Sequence, residues 1–185
     1  MLAQQIENGA PFDVFLSANA QFVDQLALNR KLVPNSVRSY ATGQLAILWK
    51  DRKAHALNDL ALDQFRFLAL PNPKLAPYGV AAEEALKHEN VWSTAKPKVV
   101  YGENVRQALQ LFDSGNADVV ITADSLLQGR NPQLLPASWH APIIQKGGIV
   151  AASTQQSAAK TFLDWLVSPA GQSVFAKYGF GKPGS

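Results

Sequence analysis

Apolar positions along the chain fall into short runs separated by stretches with helical spacing. Leu2 and Ile6 are four apart and share a helix face, and Gly9 and Pro11 stop that helix. Residues 12–17 then read as a short, aromatic, buried strand. Ser17 or Asn19 can cap the next helix, whose apolar face is Phe22, Val23 and Leu26. Residues 44–49 predict a strand, and Lys50-Asp51-Arg52-Lys53 a surface run. Residues 65–70 predict a strand ended by Pro71-Asn72-Pro73, since proline cannot continue a ladder. A helix starts near Pro77 and carries Ala81, Ala82, Ala85 and Leu86 on its inner face. A strand follows at 98–101, then a helix opened by Gly102-Glu103-Asn104, with Val105, Ala108, Leu109 and Phe112 at helical spacing and Gly115 as its stop. Residues 118–122 predict another strand, and 132–142 a proline-rich loop. Residues 143–152 read as a strand with Gly147-Gly148 as a bend or bulge, and 157–167 and 169–178 as two closing helices.

Strand–helix alternation implies right-handed crossovers and a parallel sheet, in which ligands sit at the carboxyl ends of the strands. The element order places 1–48 in a first lobe, 49–142 in a second, and 143–185 back in the first, with crossings near 45–49 and 143–151. That predicts an α/β fold of two lobes with a hinge and an interlobe cleft. A chain that opens on one short helix with nothing before it to pack on is expected to lack the start of its first lobe.

The chain has 185 residues, 47% hydrophobic and 17% charged, which is an ordinary globular composition. No run approaches the roughly 20 apolar residues that span a bilayer, and the first residues show no basic-then-apolar signal pattern. With no cysteine, disulfides, thiolate catalysis and cysteine-based zinc sites are excluded. The net charge of +3 is that of an ordinary surface and helps attract a small anion. No Lys/Arg cluster stands beside aromatics, which tells against nucleic acid. His55, His88 and His140 lie far apart, without metal-ligand spacing or a serine nucleophile motif, and no Gly-rich phosphate loop is present. Asp118 and Asp124 flank one strand, a pairing that chance supplies often. The chain is not expected to be an enzyme.

Two stretches, LAQQIENGAPFDVFLSA at the start and FLDWLVSPAGQSVFAKYGF near the end, resemble the molybdate-binding proteins of ABC transporters, a branch of the periplasmic solute-binding proteins. The resemblance implies a type II binding-protein fold with its first lobe incomplete, because two donor-bearing loops precede this stretch in the family. It implies capture of molybdate or tungstate in the interlobe cleft, delivery to a membrane permease, no cofactor and a monomeric state. It also implies a periplasmic or lipid-anchored location for the full protein. By resemblance, the amides of Tyr78 and Val105 are ligand donors, with Pro77, Gly79, Asn104 and Thr122 as further candidates. The Tyr78 ring would cover the cleft, and Asn104 also reads as a helix cap. Some members place a tyrosine where this chain has Ala123, with Thr122 and Ser125 as substitutes here. Arg106 is read as facing solvent or pairing with Glu103, and Ser17 as a cap. Two alternatives remain: the effector domain of a transcription regulator with the same fold, and a binding protein for another oxyanion such as sulfate or phosphate.

Overall fold

The computed structural model describes residues 2–51, 55–62 and 64–184; Arg52 and Lys53 of the expected surface run lie outside them. The chain divides into two compact units, one made of residues 1–42 with 144–185 and the other of 43–143. Each is α/β with its own sheet. Among the described residues no helix is long and apolar enough to cross a membrane.

The first unit opens with α1 (Leu2–Glu7), β1 (Val14–Ser17) and α2 (Ala20–Leu28). Gly9, at φ +85°, lets the chain reverse after α1. The opening helix does have a packing partner: Ile6 joins Phe15, Val23, Leu26, Leu32 and Val150 in one buried cluster. Asn19 caps α2 by accepting from the Gln21 amide (3.1 Å), while Ser17 Oγ accepts from the Asn19 amide (3.0 Å). β2 (Arg38–Gly43), a strand the sequence pattern does not announce, lies inside the sheet. The order is β1-β8-β2-β9, with β8 at Ile143–Ile149 and β9 at Phe180–Gly181. β8 runs antiparallel to β1 through Leu16↔Gly147 and Phe15↔Gly148, so the two glycines form neither a bend nor a bulge. A Cβ at Gly147 would collide with the Leu16 side chain and stand 2.8 Å from the Phe15 carbonyl oxygen. Glycine is there because two strands and a leucine leave no room.

The closing helices α6 (Gln156–Val167) and α7 (Pro169–Lys177) contribute to a second cluster of Tyr40, Ala41, Ile149, Ala159, Leu163 and Leu166, with Phe175 beside it. The Tyr40 ring lies 5.5 Å from that of Phe175.

The second unit holds β3 (Leu45–Trp49), β4 (Leu68–Pro71), β5 (Val99–Gly102), β6 (Val119–Ala123) and β7 (Gln133–Leu134) in the order β5-β4-β6-β3-β7. β4 is parallel to β5 and β6, whereas β3 is antiparallel to β6. The sheet is therefore mixed. The strand assigned by pattern to the end of the first lobe, β3, instead sits between β6 and β7, so the chain passes from one unit to the other at Thr42/Gly43. β4 runs through Pro71, which pairs with Gly102, before Asn72 donates to the Gly102 carbonyl (2.7 Å). Among the described residues three α-helices accompany these strands: α3 (Pro77–His88), the short α4 (Trp92–Ala95) and α5 (Val105–Asp113). α5 covers β4, β5 and β6, and Ala108 joins Ala46, Leu48, Ala69, Ala117, Val120 and Leu127 in its core. α3 packs on β3, β4 and β6.

Burial pushes the Tyr40 hydroxyl up from 10.0 to about 12. The folded state thus holds this proton more tightly than the unfolded chain, a contribution fully present below pH 10 and lost as pH rises through 12. Tyr40→Phe is expected to abolish about 2–3 kcal/mol of alkaline destabilisation over that window, read by urea denaturation of both chains at stepped pH.

Candidate functional site

Two strand–helix junctions stand side by side at the carboxyl edge of the second sheet, because Pro71 at the end of β4 pairs with Gly102 at the end of β5. In the first junction Asn72 organises the loop: its side chain accepts from Lys74 N (3.0 Å), and its carbonyl from the Leu75 and Ala76 amides (both 2.9 Å). Ala76 is the N-cap, Pro77 the first helical residue and Tyr78 the second. Proline suits that place, since its fixed φ fits the helix and its missing N–H costs no bond. Gly79 closes the turn by donating to the Ala76 carbonyl (2.9 Å). A Cβ on Gly79 would run into the Pro71 carbonyl oxygen and stand 2.7 Å from Pro73 N. Pro77-Tyr78-Gly79 is thus a packing motif as well as a candidate donor set: proline starts the helix and glycine lets the loop pass under it.

The second junction solves the same problem from the strand side. A Cβ on Gly102 would strike the Ala108 amide and lie 2.7 Å from the Gln107 carbonyl carbon. Asn104 caps α5 by accepting from the Arg106 and Gln107 amides (3.0 Å each), and the Gln107 side chain takes the Glu103 amide in return. These bonds satisfy the neighbours of Val105 and leave its own amide, among the described residues, without an acceptor. An unsatisfied first-turn N–H at the positive end of a helix dipole favours an anion.

Thr122 does not serve as expected. It is fully buried, and its hydroxyl donates to the Val105 carbonyl at 3.0 Å. A hydroxyl has one proton to give, so Thr122 fixes the start of α5 to β6 and has none for a ligand. Tyr78 is buried, 5% exposed, so its ring is not laid over an open surface. Asn104 acts as the cap, and Ser125 is the middle residue of the 3-10 turn Asp124–Leu126. Asp118 and Asp124 lie at opposite ends of β6, too far apart for a catalytic pair; Asp118 accepts from the Arg66 amide (2.8 Å). The link between Thr122 and Val105 joins residues 17 apart in the chain and has no sequence signal.

A cavity of about 1070 Å³ lies at the other edge of the same sheet, lined by Trp49, His55, Phe112 and Arg130 among others. It holds none of the residues that the family resemblance points to. The His55 imidazole there is pushed above its ordinary value by its hydrogen bond to Asp51 (2.7 Å), with Asp59 adding to the effect. These contacts tie His55 to Asp51 and Asp59.

Removing the hydroxyl with Thr122→Val is expected to cost about 1 kcal/mol, the usual net value of a buried hydrogen bond. Gly102→Ala, which forces a Cβ against backbone, is expected to cost about 1–3 kcal/mol. Both are checked by equilibrium denaturation against the parent chain.

The family described as bacterial extracellular solute-binding protein matches residues 1–181. The molybdate-binding protein ModA of Rhodobacter capsulatus is 34% identical over 181 residues, covering 95% of this chain and 71% of that protein. ModA of Azotobacter vinelandii is 33% identical over 186 residues, 96% of this chain and 73% of its own length. The solved structure of the periplasmic molybdate-binding protein of Azotobacter vinelandii superposes with a TM-score of 0.84 at 30% identity, covering 98% of this chain and 83% of that one. The sulfate-binding protein SubI of Mycobacterium tuberculosis shares the fold at 16% identity and a TM-score of 0.76. On these matches, the chain belongs to the bacterial extracellular solute-binding proteins.

Proposed function

We propose that this protein binds molybdate or tungstate through main-chain amides at the starts of α3 and α5, Tyr78 and Val105 foremost, and passes the anion to the permease of an ABC transporter. The observation that carries the reading is the Val105 amide: a first-turn donor left without an acceptor, at a helix start that Asn104, Gln107 and Thr122 all hold in place. The adjacent junction sets Tyr78 in the first turn of α3, at the same edge of the sheet. Helix starts of this kind hold oxyanions without a countercharge. Neutral N–H donors also favour a fully deprotonated anion, because a protonated one would bring an O–H against an N–H. The names of the relatives in Rhodobacter and Azotobacter support molybdate as the ligand. Membership of a solute-binding family supports a transport role over catalysis, a location outside the cytoplasmic membrane, and a membrane permease as partner.

Thermal unfolding with and without molybdate, tungstate, sulfate and phosphate tests this reading, since a ligand of the native state raises the midpoint. Molybdate and tungstate are expected to raise it and sulfate and phosphate to leave it unmoved; a shift with none of the four sinks the proposal. Val105→Pro removes the amide itself. Asn104 already has the extended backbone that a following proline requires, and proline is well suited to the first helical position. The variant is expected to melt like the parent and to bind molybdate roughly 10- to 150-fold more weakly, the loss of one hydrogen bond to a charged group. Parent-like affinity would remove Val105 from the site.

A further inference from the structure

Asp124 is the first residue beyond β6 and opens the 3-10 turn Asp124–Leu126. At 7% exposure it is the one buried carboxylate among the described residues. Its main chain is well held, with the amide donating to the Gln44 carbonyl (2.9 Å) and the carbonyl accepting from Leu127 (2.8 Å). Its carboxylate is poorly held. The side-chain bond it makes is a long one, 3.3 Å from the neutral Gln128 amide to Oδ2. Buried carboxylates ordinarily keep a cation or several N–H donors. Burial accordingly pushes this carboxyl above its ordinary value, with the Gln128 bond pulling the other way.

The position matters as much as the burial. Thr122, two residues earlier, donates to the Val105 carbonyl, so the end of β6 and the start of α5 are in direct contact. A strand advances roughly 3.3 Å per residue, so the Asp124 backbone stands about 7 Å along the chain direction from that of Thr122, at the same carboxyl edge.

We infer that Asp124 is a charge filter for the anion site, a fixed negative group that lowers affinity in proportion to the charge of the oxyanion held at the helix starts. The inference rests on the oxyanion reading above and deepens it. N–H dipoles attract a dianion more strongly than a monoanion of the same size and supply no repulsion to offset it. A carboxylate at the edge supplies that offset, because its Coulomb energy with a dianion is twice that with a monoanion at the same place. It also keeps the affinity for a dianion below what the donors alone would give, which eases release.

The test uses molybdate and perrhenate, tetrahedral oxyanions of similar shape carrying two charges and one. Affinities are measured by titration calorimetry at mildly alkaline pH, in low salt, for the full chain and for Asp124→Asn. The asparagine chain is expected to bind molybdate about tenfold tighter and perrhenate only roughly threefold tighter, the second factor being the square root of the first. Both gains are expected to shrink in high salt. A structural role for Asp124 predicts weaker binding, never tighter, and never a gain that scales with ligand charge. Gln128→Ala removes the partner and leaves the charge, and is expected to tighten neither anion. Equal gains for the two anions, no gain for either, or a gain from Gln128→Ala matching that of Asp124→Asn would overturn the filter. If the asparagine chain melts without cooperativity, Asp124→Ser, which keeps a polar group at the turn, is read by the same criteria. Failure of the wild-type chain to bind either anion overturns the oxyanion reading and this one with it; wild-type binding without a variant gain overturns this one alone.

Discussion

Close approach of backbone to backbone is the constraint on which the second unit depends. At Gly79 the turn of α3 lies against the Pro71 carbonyl, and at Gly102 the end of β5 lies against the Ala108 amide. Neither place has room for one methyl group. Each contact pins a helix start to the end of a parallel strand, and the pairing of Pro71 with Gly102 sets the two starts next to each other. The caps and the link from Thr122 to Val105 presuppose that spacing. The first unit uses the same device where β8 passes β1 at Gly147. Interiors packed to crystal-like density absorb no such substitution locally, so a misfit at these points is carried along the attached helix.

Electrostatics at the candidate site follows from what the backbone leaves over. The Asn104 side chain takes the Arg106 and Gln107 amides of α5, and the Gln107 side chain takes the Glu103 amide just before the helix, which leaves Val105 as the candidate donor. On the proposed reading, a site assembled from such remainders gets its attraction from helix dipoles, and Asp124, one residue past a strand end, sets a charge against it.

Much of this was legible in the chain itself. Helical spacing at Ala81, Ala82, Ala85 and Leu86, and at Val105, Ala108, Leu109 and Phe112, marks α3 and α5 because one face of each is buried. Pro77 and Asn104 mark their starts through local rules of φ and capping. What was not legible depends on partners far along the chain. β2 carries Arg38 and Thr42, whose bonds go to Asp164 and to the Lys182 carbonyl, so its polar residues do not look like a strand. Gly147 and Gly148 suggest a bend until Phe15 and Leu16 are set opposite them. Thr122 looks like a free hydroxyl at a strand end, and nothing near it in sequence says that the Val105 carbonyl is 3.0 Å away. The mixed sheet and the place of β3 in it are hidden for the same reason: alternation reports which residues are buried, not which strand lies alongside.

The division of the chain also sets an order of events. Residues 43–143 form one unbroken stretch that carries every strand of its own sheet, and this unit can close as soon as it has been synthesised. The other unit is built from both ends: Phe15 must wait for Gly148, and Tyr40 for Phe175. During that interval β1, α2 and their apolar residues stand without the strand and helices that cover them. The later unit is therefore the slow one to form, because its contacts span most of the chain, and it is the one whose nascent surface is open to capture by a chaperone or by another copy.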